Sequence, residues 1–423
     1  MNLKTRLRLI APRPVAQQAY RHMARRYIRS LDVPIDSKKK TVLIINHYFD
    51  QDIRALELAN REYNLVVVDG PRLFKGGKVL VGSGIQNLLE PYDSETDMNR
   101  RRFQRECEII FDQLRERFDF RLIITAGDLF WWIREFITVA RMRGVKTVVL
   151  DKEGTRSPYA MTGESRRIRD NAPFISDHIY VWSDRQRRFW NQAGVDDTRI
   201  TVIGQPRSDL FFRDIPGRLD ACFPTVQPLI CLFSYEDTAY IPPHLVRDSG
   251  LSWSNMKKAA HDDVYRWAQV YPNFNFVIKA HPQQSDLEKL QRRYCRENLA
   301  VIGGADVAVE LVRRAHLIIA FQTTAVLEAM ALGKKIVYTA WDKNYAALAD
   351  DLIPFHRASG ILIADSMDRF RQVCGRCLSG DESDFDFSRE EIADRVRFAG
   401  EYFYRPDGRV CERFFESVAG FIA

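Results

Sequence analysis

Phe274-Asn275-Phe276-Val277-Ile278-Lys279-Ala280-His281-Pro282 and Leu317-Ile318-Ile319-Ala320-Phe321-Gln322-Thr323-Thr324-Ala325-Val326-Leu327-Glu328-Ala329-Met330-Ala331-Leu332-Gly333 decide how this chain folds. Each begins as a short apolar run and breaks into a polar loop, and the second continues as a helix that stops at a glycine. In an open α/β sheet, ligands bind in the crevice beyond the carboxyl ends of the strands. Thr323 and Thr324 bring hydroxyls, backbone N–H groups and the positive end of a helix to one point, while Lys279, His281 and Pro282 stand at the neighbouring strand end. The pattern suits a phosphate. Its structural alternative is an N-cap at Thr323 and a hydrogen-bonded turn at His281.

Working outward, short β-branched runs alternate with amphipathic helices from Thr41 onward. Thr41–Asn46, Leu65–Asp69, Arg121–Thr125, Lys146–Leu150, His178–Trp182 and Ile200–Ile203 read as strands. A segment with Pro206, Pro216, Pro224 and Pro228 interrupts the alternation, which resumes at Leu229–Phe233 and continues through Phe274–Ile278, Leu317–Ala320, Lys335–Tyr338 and Ile361–Ile363. Strands joined by crossover helices make parallel sheets. The expected organisation is a basic segment 1–40, an α/β domain 41–205, a linker 206–228, a second α/β domain 229–388, and two C-terminal helices within 389–423. With 46% apolar residues among 423, two full cores are affordable.

The formal charge of +7 is unevenly distributed. Residues 1–40 carry eleven Lys and Arg against Asp32 and Asp36, a local +9, so the remaining 383 residues sum to −2. A nucleic-acid enzyme would carry its positive charge through the folded body, so nucleic acid is not an expected partner. Leu3, Leu7, Leu9 and Ile10, then Val15, Tyr20, Met23, Tyr27 and Ile28, interleave with those basic residues. Residues 1–30 therefore suit an anionic membrane surface, and equally a basic helix packed on its own domain. No run of eighteen apolar residues occurs and no secretory signal is recognisable, which places the expected protein in the cytoplasm, with a peripheral position on the inner face of the membrane as one of the two options for residues 1–30.

Seven scattered cysteines, at 107, 222, 231, 295, 374, 377 and 411, fit reduced thiols. Cys374 and Cys377 form a C-x-x-C inside a helical stretch, without a second such pair or a paired His motif. Neither a metal nor a cofactor is expected. A dinucleotide-binding oxidoreductase is disfavoured because Asn46-His47-Tyr48-Phe49-Asp50, not a G-x-G-x-x-G loop, follows the first strand.

Four stretches in fixed order carry a resemblance: Asp151-Lys152-Glu153-Gly154, Ile200-Thr201-Val202-Ile203-Gly204-Gln205-Pro206-Arg207-Ser208-Asp209, His281-Pro282, and Thr323-Thr324 with Glu328. Over about residues 40–423 the chain resembles bacterial surface-carbohydrate glycosyltransferases of the GT-B type. Those have two Rossmann-like domains facing across a cleft and use nucleotide-activated sugars. Tyr404-Arg405-Pro406-Asp407-Gly408-Arg409 looks like the capsule group. Sialyltransferase- and Kdo-transferase-like enzymes that use CMP-sugars share an acidic-acidic-Gly motif and a His-Pro motif. The resemblance implies Glu153 as general base, with Asp151 one place earlier than the pattern and Lys152 between them. It also implies nucleotide contacts from Lys279, His281, Pro282, Gln322 and Glu328, and a phosphate held by Thr323 and Thr324. The implied partners are a nucleotide-sugar donor and a polysaccharide or glycolipid acceptor.

The chemistry is compatible from first principles. A departing phosphate needs donors aimed at its growing charge, and an acceptor hydroxyl needs a base. Glu153, just after the Lys146–Leu150 strand, stands where a strand end meets the crevice, and His47 is a second candidate for acid or base work. Arg207 and Asp209 could equally form an inter-domain salt bridge. The competing readings on the same fold are a CDP-alditol phosphotransferase of the teichoic-acid type, a nucleotide-sugar 2-epimerase and a non-catalytic polysaccharide-assembly protein.

Overall fold

A computed structural model describes residues 13–81, 94–213, 219, 222–223, 227–241, 243–282, 284–304 and 307–422. Residues 1–12 and much of the Pro-rich segment lie outside the described residues. Two six-stranded sheets, each wholly parallel, carry the fold.

The first sheet comprises β1 (Lys40–Asn46), β2 (Tyr63–Asp69), β3 (Phe120–Thr125), β4 (Lys146–Leu150), β5 (His178–Val181) and β6 (Ile200–Val202), in the order β2-β1-β3-β4-β5-β6. The second comprises β7 (Leu229–Phe233), β8 (Asn275–Lys279), β9 (Leu299–Ile302), β10 (Ala315–Ala320), β11 (Lys335–Thr339) and β12 (Leu362–Ala364), in the order β12-β11-β10-β7-β8-β9. Both are doubly wound, so the fold is α/β with two Rossmann-like halves. The strand direction of travel reverses between β1 and β3 in one and between β7 and β10 in the other. These are the topological switch points, where crevices open at the carboxyl edge.

Helices cover both faces of each sheet, which is why the strands read as continuous apolar runs instead of alternating ones. Leu43, Ile44 and Ile45 in β1 and Ile318 and Ile319 in β10 are fully buried. Eleven of the strands answer to runs expected from the sequence. Leu299–Ile302 is the strand outside that reading, because four residues give little periodic signal, and it forms at an edge by pairing with β8.

Close contacts group the chain into two units, Met1–Gly154 with Ala160–Pro206 and Arg409–Ala423, and Thr155–Tyr159 with Arg207–Gly408. The two C-terminal helices are present but belong to different units. Arg389–Phe403 packs in the second unit against the Thr324–Ala331 helix. Val410–Ile422 closes the first, where Phe414 meets Tyr180 at 4.9 Å and Lys40 Nζ donates to the Ile422 carbonyl at 3.0 Å. The turn between them uses positive φ at Tyr404 (59°) and Gly408 (76°).

The basic segment also divides. Residues Arg13–Ser30 form a helix whose Tyr20, Ala24, Tyr27 and Ile28 are buried in the core of the first unit. Tyr27 Oη accepts from the Asp69 N–H at 2.7 Å, and Arg21 pairs with Glu106. Tyr20, Tyr27 and Ile28 of the apolar stripe are therefore committed to the protein, while Val15 and Met23 lie on the outer face with Arg25, Arg26 and Arg29, and Leu3, Leu7, Leu9 and Ile10 lie outside the described residues. No described helix is long and apolar enough to cross a membrane.

Candidate functional site

The two sheets each present a candidate surface at the carboxyl edge. In the first unit the switch point brings together the loops after β1 and β3. His47 follows β1 directly and is buried, with its ring at 4.1 Å from Phe130, 4.9 Å from Trp132 and 4.5 Å from Tyr48. The ring of Tyr48 is exposed, and its backbone takes φ 59°. The ammonium of Lys152 lies 5.2 Å from the Tyr48 ring centre and 5.6 Å from that of Phe130, within range of a cation–π attraction. It also stands 3.7 Å from the carboxylate of Glu153.

The acidic pair after β4 separates into two roles. Asp151 is buried and accepts from Trp190 Nε1 at 2.6 Å, Gln186 Nε2 at 2.8 Å and the Glu153 N–H at 3.1 Å. Its charge is consumed by the protein and holds the loop in place. Glu153, by contrast, keeps its side chain 61% exposed, so its carboxylate is available to a ligand. Gly154 makes this possible. A Cβ there would sit 1.7 Å from Cε3 of Trp182, so the close approach this glycine permits is to an indole of the core.

In the second unit, the end of β8 is tied to the end of β7. The Ser234 N–H donates to the Lys279 carbonyl at 2.8 Å. The Gln284 amide reaches Ser234 Oγ at 3.0 Å, while its Oε1 accepts from the His281 N–H at 3.0 Å. Beneath them His261 Nε2 lies 3.0 Å from Ser234 Oγ, and burial, with Lys257 adding to it, pushes its pKa down to about 3. That imidazole is neutral and acts as a fixed strut. The result is a braced turn with His281 and Pro282 exposed on its outside.

The residues expected at the donor site are not all placed alike. Thr323 is the N-cap of the Thr324–Ala331 helix, and its hydroxyl accepts from the Ala325 N–H. Thr324 is half-buried at the helix start, where the first turn leaves N–H donors without intrahelical partners. Gln322 is turned inward: its amide donates to Tyr338 Oη at 2.7 Å and the Ile353 carbonyl at 2.8 Å, and its oxygen accepts from the Ile353 N–H at 3.0 Å. Lys279 is buried too, with Nζ donating to the Ala280 carbonyl at 2.6 Å. Glu328 is buried and paired with Arg207 at 3.1 Å, within the second unit. The structure thus draws Gln322, Lys279 and Glu328 into the framework and leaves His281, Pro282 and Thr324 on the accessible side.

Sequence reasoning did not single out the aromatic floor of either switch point. In the second unit Tyr235, after β7, meets Phe321, after β10, at 5.0 Å, and Trp253 lies 5.1 Å from Phe321. Position was the available signal, since Phe321 directly follows β10 and Tyr235 stands two residues beyond the end of β7. Lys152 was visible only as a departure from an acidic pattern, and its aromatic seat is a tertiary feature.

No protein-family model matches the chain, and no curated protein matches it in sequence. Solved structures do. The wall teichoic acid polymerase TagF superposes with a TM-score of 0.54 at 11% identity, covering 96% of this chain and 95% of that one. The UDP-GlcNAc 2-epimerase of Neisseria meningitidis bound to UDP-GlcNAc gives 0.51 at 13% identity, with 90% and 100% covered. That of Methanocaldococcus jannaschii gives 0.51 at 13%, with 90% and 99% covered. At such identities the likeness concerns the fold, and it is that of a GT-B type protein with two Rossmann-like halves.

Proposed function

We propose that the chain is a glycosyltransferase that takes a sugar from a nucleotide-activated donor, a CMP-sugar by preference, to a surface polysaccharide or glycolipid acceptor. The observation that carries this reading is the braced His281-Pro282 turn after β8 and the start of the Thr324–Ala331 helix after β10, two carboxyl-edge strand ends that flank β7 instead of being direct neighbours as the sequence suggested. Hydrogen-bond donors held on a rigid frame favour a phosphate whose negative charge grows as the glycosidic bond breaks. His281 and Thr324 would contact that phosphate, with Thr323 fixing the helix start. Lys279, Gln322 and Glu328 support the site from beneath.

On the first unit, Glu153 would accept the proton of the acceptor hydroxyl, since it is the exposed carboxylate beyond β4. Tyr48 and Lys152 would then face the acceptor, and His47 supports the Tyr48 ring. The cytidine preference rests on the His-Pro resemblance. Its test is a thermal-shift panel of CMP, CDP, UDP and GDP, because a ligand that binds the native state stabilises it according to occupancy. CMP and CDP should raise the melting temperature most, with EDTA leaving that order unchanged. A response to UDP alone would overturn the donor assignment.

A second reading, alditol-phosphate transfer from a CDP donor, is favoured by the likeness to a teichoic acid polymerase across nearly the whole of both chains. It uses the same phosphate-binding edge. Release of CMP, and not CDP, from a CDP-alditol would separate it from sugar transfer.

A further inference from the structure

At the opposite, amino edge of the second sheet stands a cluster that none of these roles uses. His316 is the second residue of β10, Cys377 lies near the end of the Met367–Leu378 helix, and Glu382 follows in the next loop. His316 Nε2 lies 2.8 Å from Glu382 Oε1 and 3.9 Å from Cys377 Sγ. One ligand atom from each of the three falls within 4.8 Å of the other two. A tetrahedral zinc ion, with bonds of about 2.0–2.3 Å, sets its ligand atoms roughly 3.3–3.8 Å apart. The cluster brackets that spacing.

We propose that His316, Cys377 and Glu382 bind a divalent transition ion of the zinc class, clamping the Met367–Leu378 helix and its following loop to the start of β10. The donor set is the borderline mixture of imidazole, thiolate and carboxylate that such ions favour over calcium or magnesium. Lys335, the first residue of β11, pairs with Glu382 Oε2 and so fixes the carboxylate with Oε1 toward His316 and Cys377. A ligating carboxylate held by an outer partner in this way is oriented before the ion arrives.

The loop bearing Glu382 is itself preformed. The Asp381 N–H donates to the Arg376 carbonyl at 2.9 Å, Asp381 Oδ1 accepts from the Ser383 N–H at 3.1 Å, and Asp384 pairs with Arg369 at 3.2 Å. The side chains of His316 and Glu382 are 29% and 39% exposed, which leaves a solvent-facing fourth position for water. Binding through Nε2 puts the imidazole proton on Nδ1, and Cys377 gives up its thiol proton to solvent as the metal–sulfur bond forms. Because the cluster lies at the amino edge and the His281 turn at the carboxyl edge, the ion would stabilise the second unit without touching the donor, and the inference stands apart from the proposed transfer.

The test uses the full chain, stripped of metal with a chelator and titrated with Co2+ as a spectroscopic probe, then with Zn2+. The expected result is a thiolate-to-cobalt charge-transfer band at one equivalent, displaced by one equivalent of Zn2+. Zinc at a hundredfold excess over its Kd should multiply the folded-to-unfolded ratio about a hundredfold. Cys377→Ser should abolish the band, and Glu382→Gln, a change at a partly exposed side chain, should weaken affinity at least tenfold with the fold intact. Cys374→Ser should keep the band. No band, a band that survives Cys377→Ser through the exposed thiols of Cys222 or Cys295, or an affinity indifferent to Glu382→Gln would each overturn the proposal.

Discussion

The two switch points are built on one topology and prepared for different chemistry. Beyond β1 and β3 the first unit lays aromatic rings, with His47 enclosed by Phe130, Trp132 and Tyr48, and sets an exposed carboxylate and a cation on top. Next to its own switch point, the second unit carries a turn after β8 that is braced through Ser234, Gln284 and His261 to the end of β7, and offers hydrogen-bond donors. A hydroxyl-bearing acceptor needs an aromatic platform and a base. A phosphate needs preorganised N–H and O–H groups. The comparison teaches that one strand-end topology is furnished differently through the few residues that follow each strand, and the proposed division into acceptor and donor surfaces rests on that difference.

The sharpest way to break this division is Glu153→Gln. The amide keeps the shape and removes the basic site, so turnover should fall about 10²- to 10⁴-fold, with nucleotide affinity, proposed for the other unit, unchanged. Equal loss of binding and turnover would make the residue structural, and unchanged turnover would move the base elsewhere.

An acid titration sharpens the contrast at the level of stability. Each unit buries a neutral histidine: His261 in the second, pushed down to about 3 mainly by burial, and His178 in the first, to about 4 by burial and then Arg199. The unfolded imidazole binds a proton near pH 6.5. Between that pH and the folded value the unfolded state therefore holds more protons, and stability falls as pH falls. For His261 the slope approaches about 1.4 kcal/mol per pH unit below pH 6. Denaturant unfolding at stepped pH should show His261→Gln flattening this limb more than His178→Gln. Equal slopes in wild type and His261→Gln would show the histidine is not held neutral.

Next in size, His281→Ala should weaken nucleotide binding by about 1–3 kcal/mol, the range for a hydrogen bond to a charged group, measured by calorimetry. Because its braces are Gln284 and Ser234, the melting temperature should hold. A collapsed melting temperature with intact binding would reduce the turn to a structural element.

The smallest effect per residue belongs to the first unit's outer surface. Replacing Arg25, Arg26 and Arg29 by Glu should shift the protein off anionic vesicles by about 1 kcal/mol per basic residue removed, an effect that fades in salt. This substitution is preferable to deleting residues 13–30, which would strip Tyr20, Tyr27 and Ile28 from the core. Vesicle binding that ignores the reversal would exclude this face as the membrane contact.

Periodicity alone located the two sheets, eleven of their strands and the junctions where a ligand would meet them, because doubly covered parallel strands must be apolar throughout and their ends must turn polar. Local signals of capping were equally legible: Ser183 accepts from the Gln186 N–H and Thr323 from that of Ala325, as short-range geometry requires. What the sequence could not show is where each polar side chain turns. Gln322 and Thr324 are two residues apart, yet one is locked to Ile353 and Tyr338 while the other faces out. Asp151 is held by hydrogen bonds from Trp190 and Gln186 while Glu153 remains exposed. His316 meets Cys377 and Glu382 across more than sixty residues of chain. Backbone pattern follows from local sterics and burial period, but the fate of a polar group depends on which distant partner satisfies it, and only packing decides that.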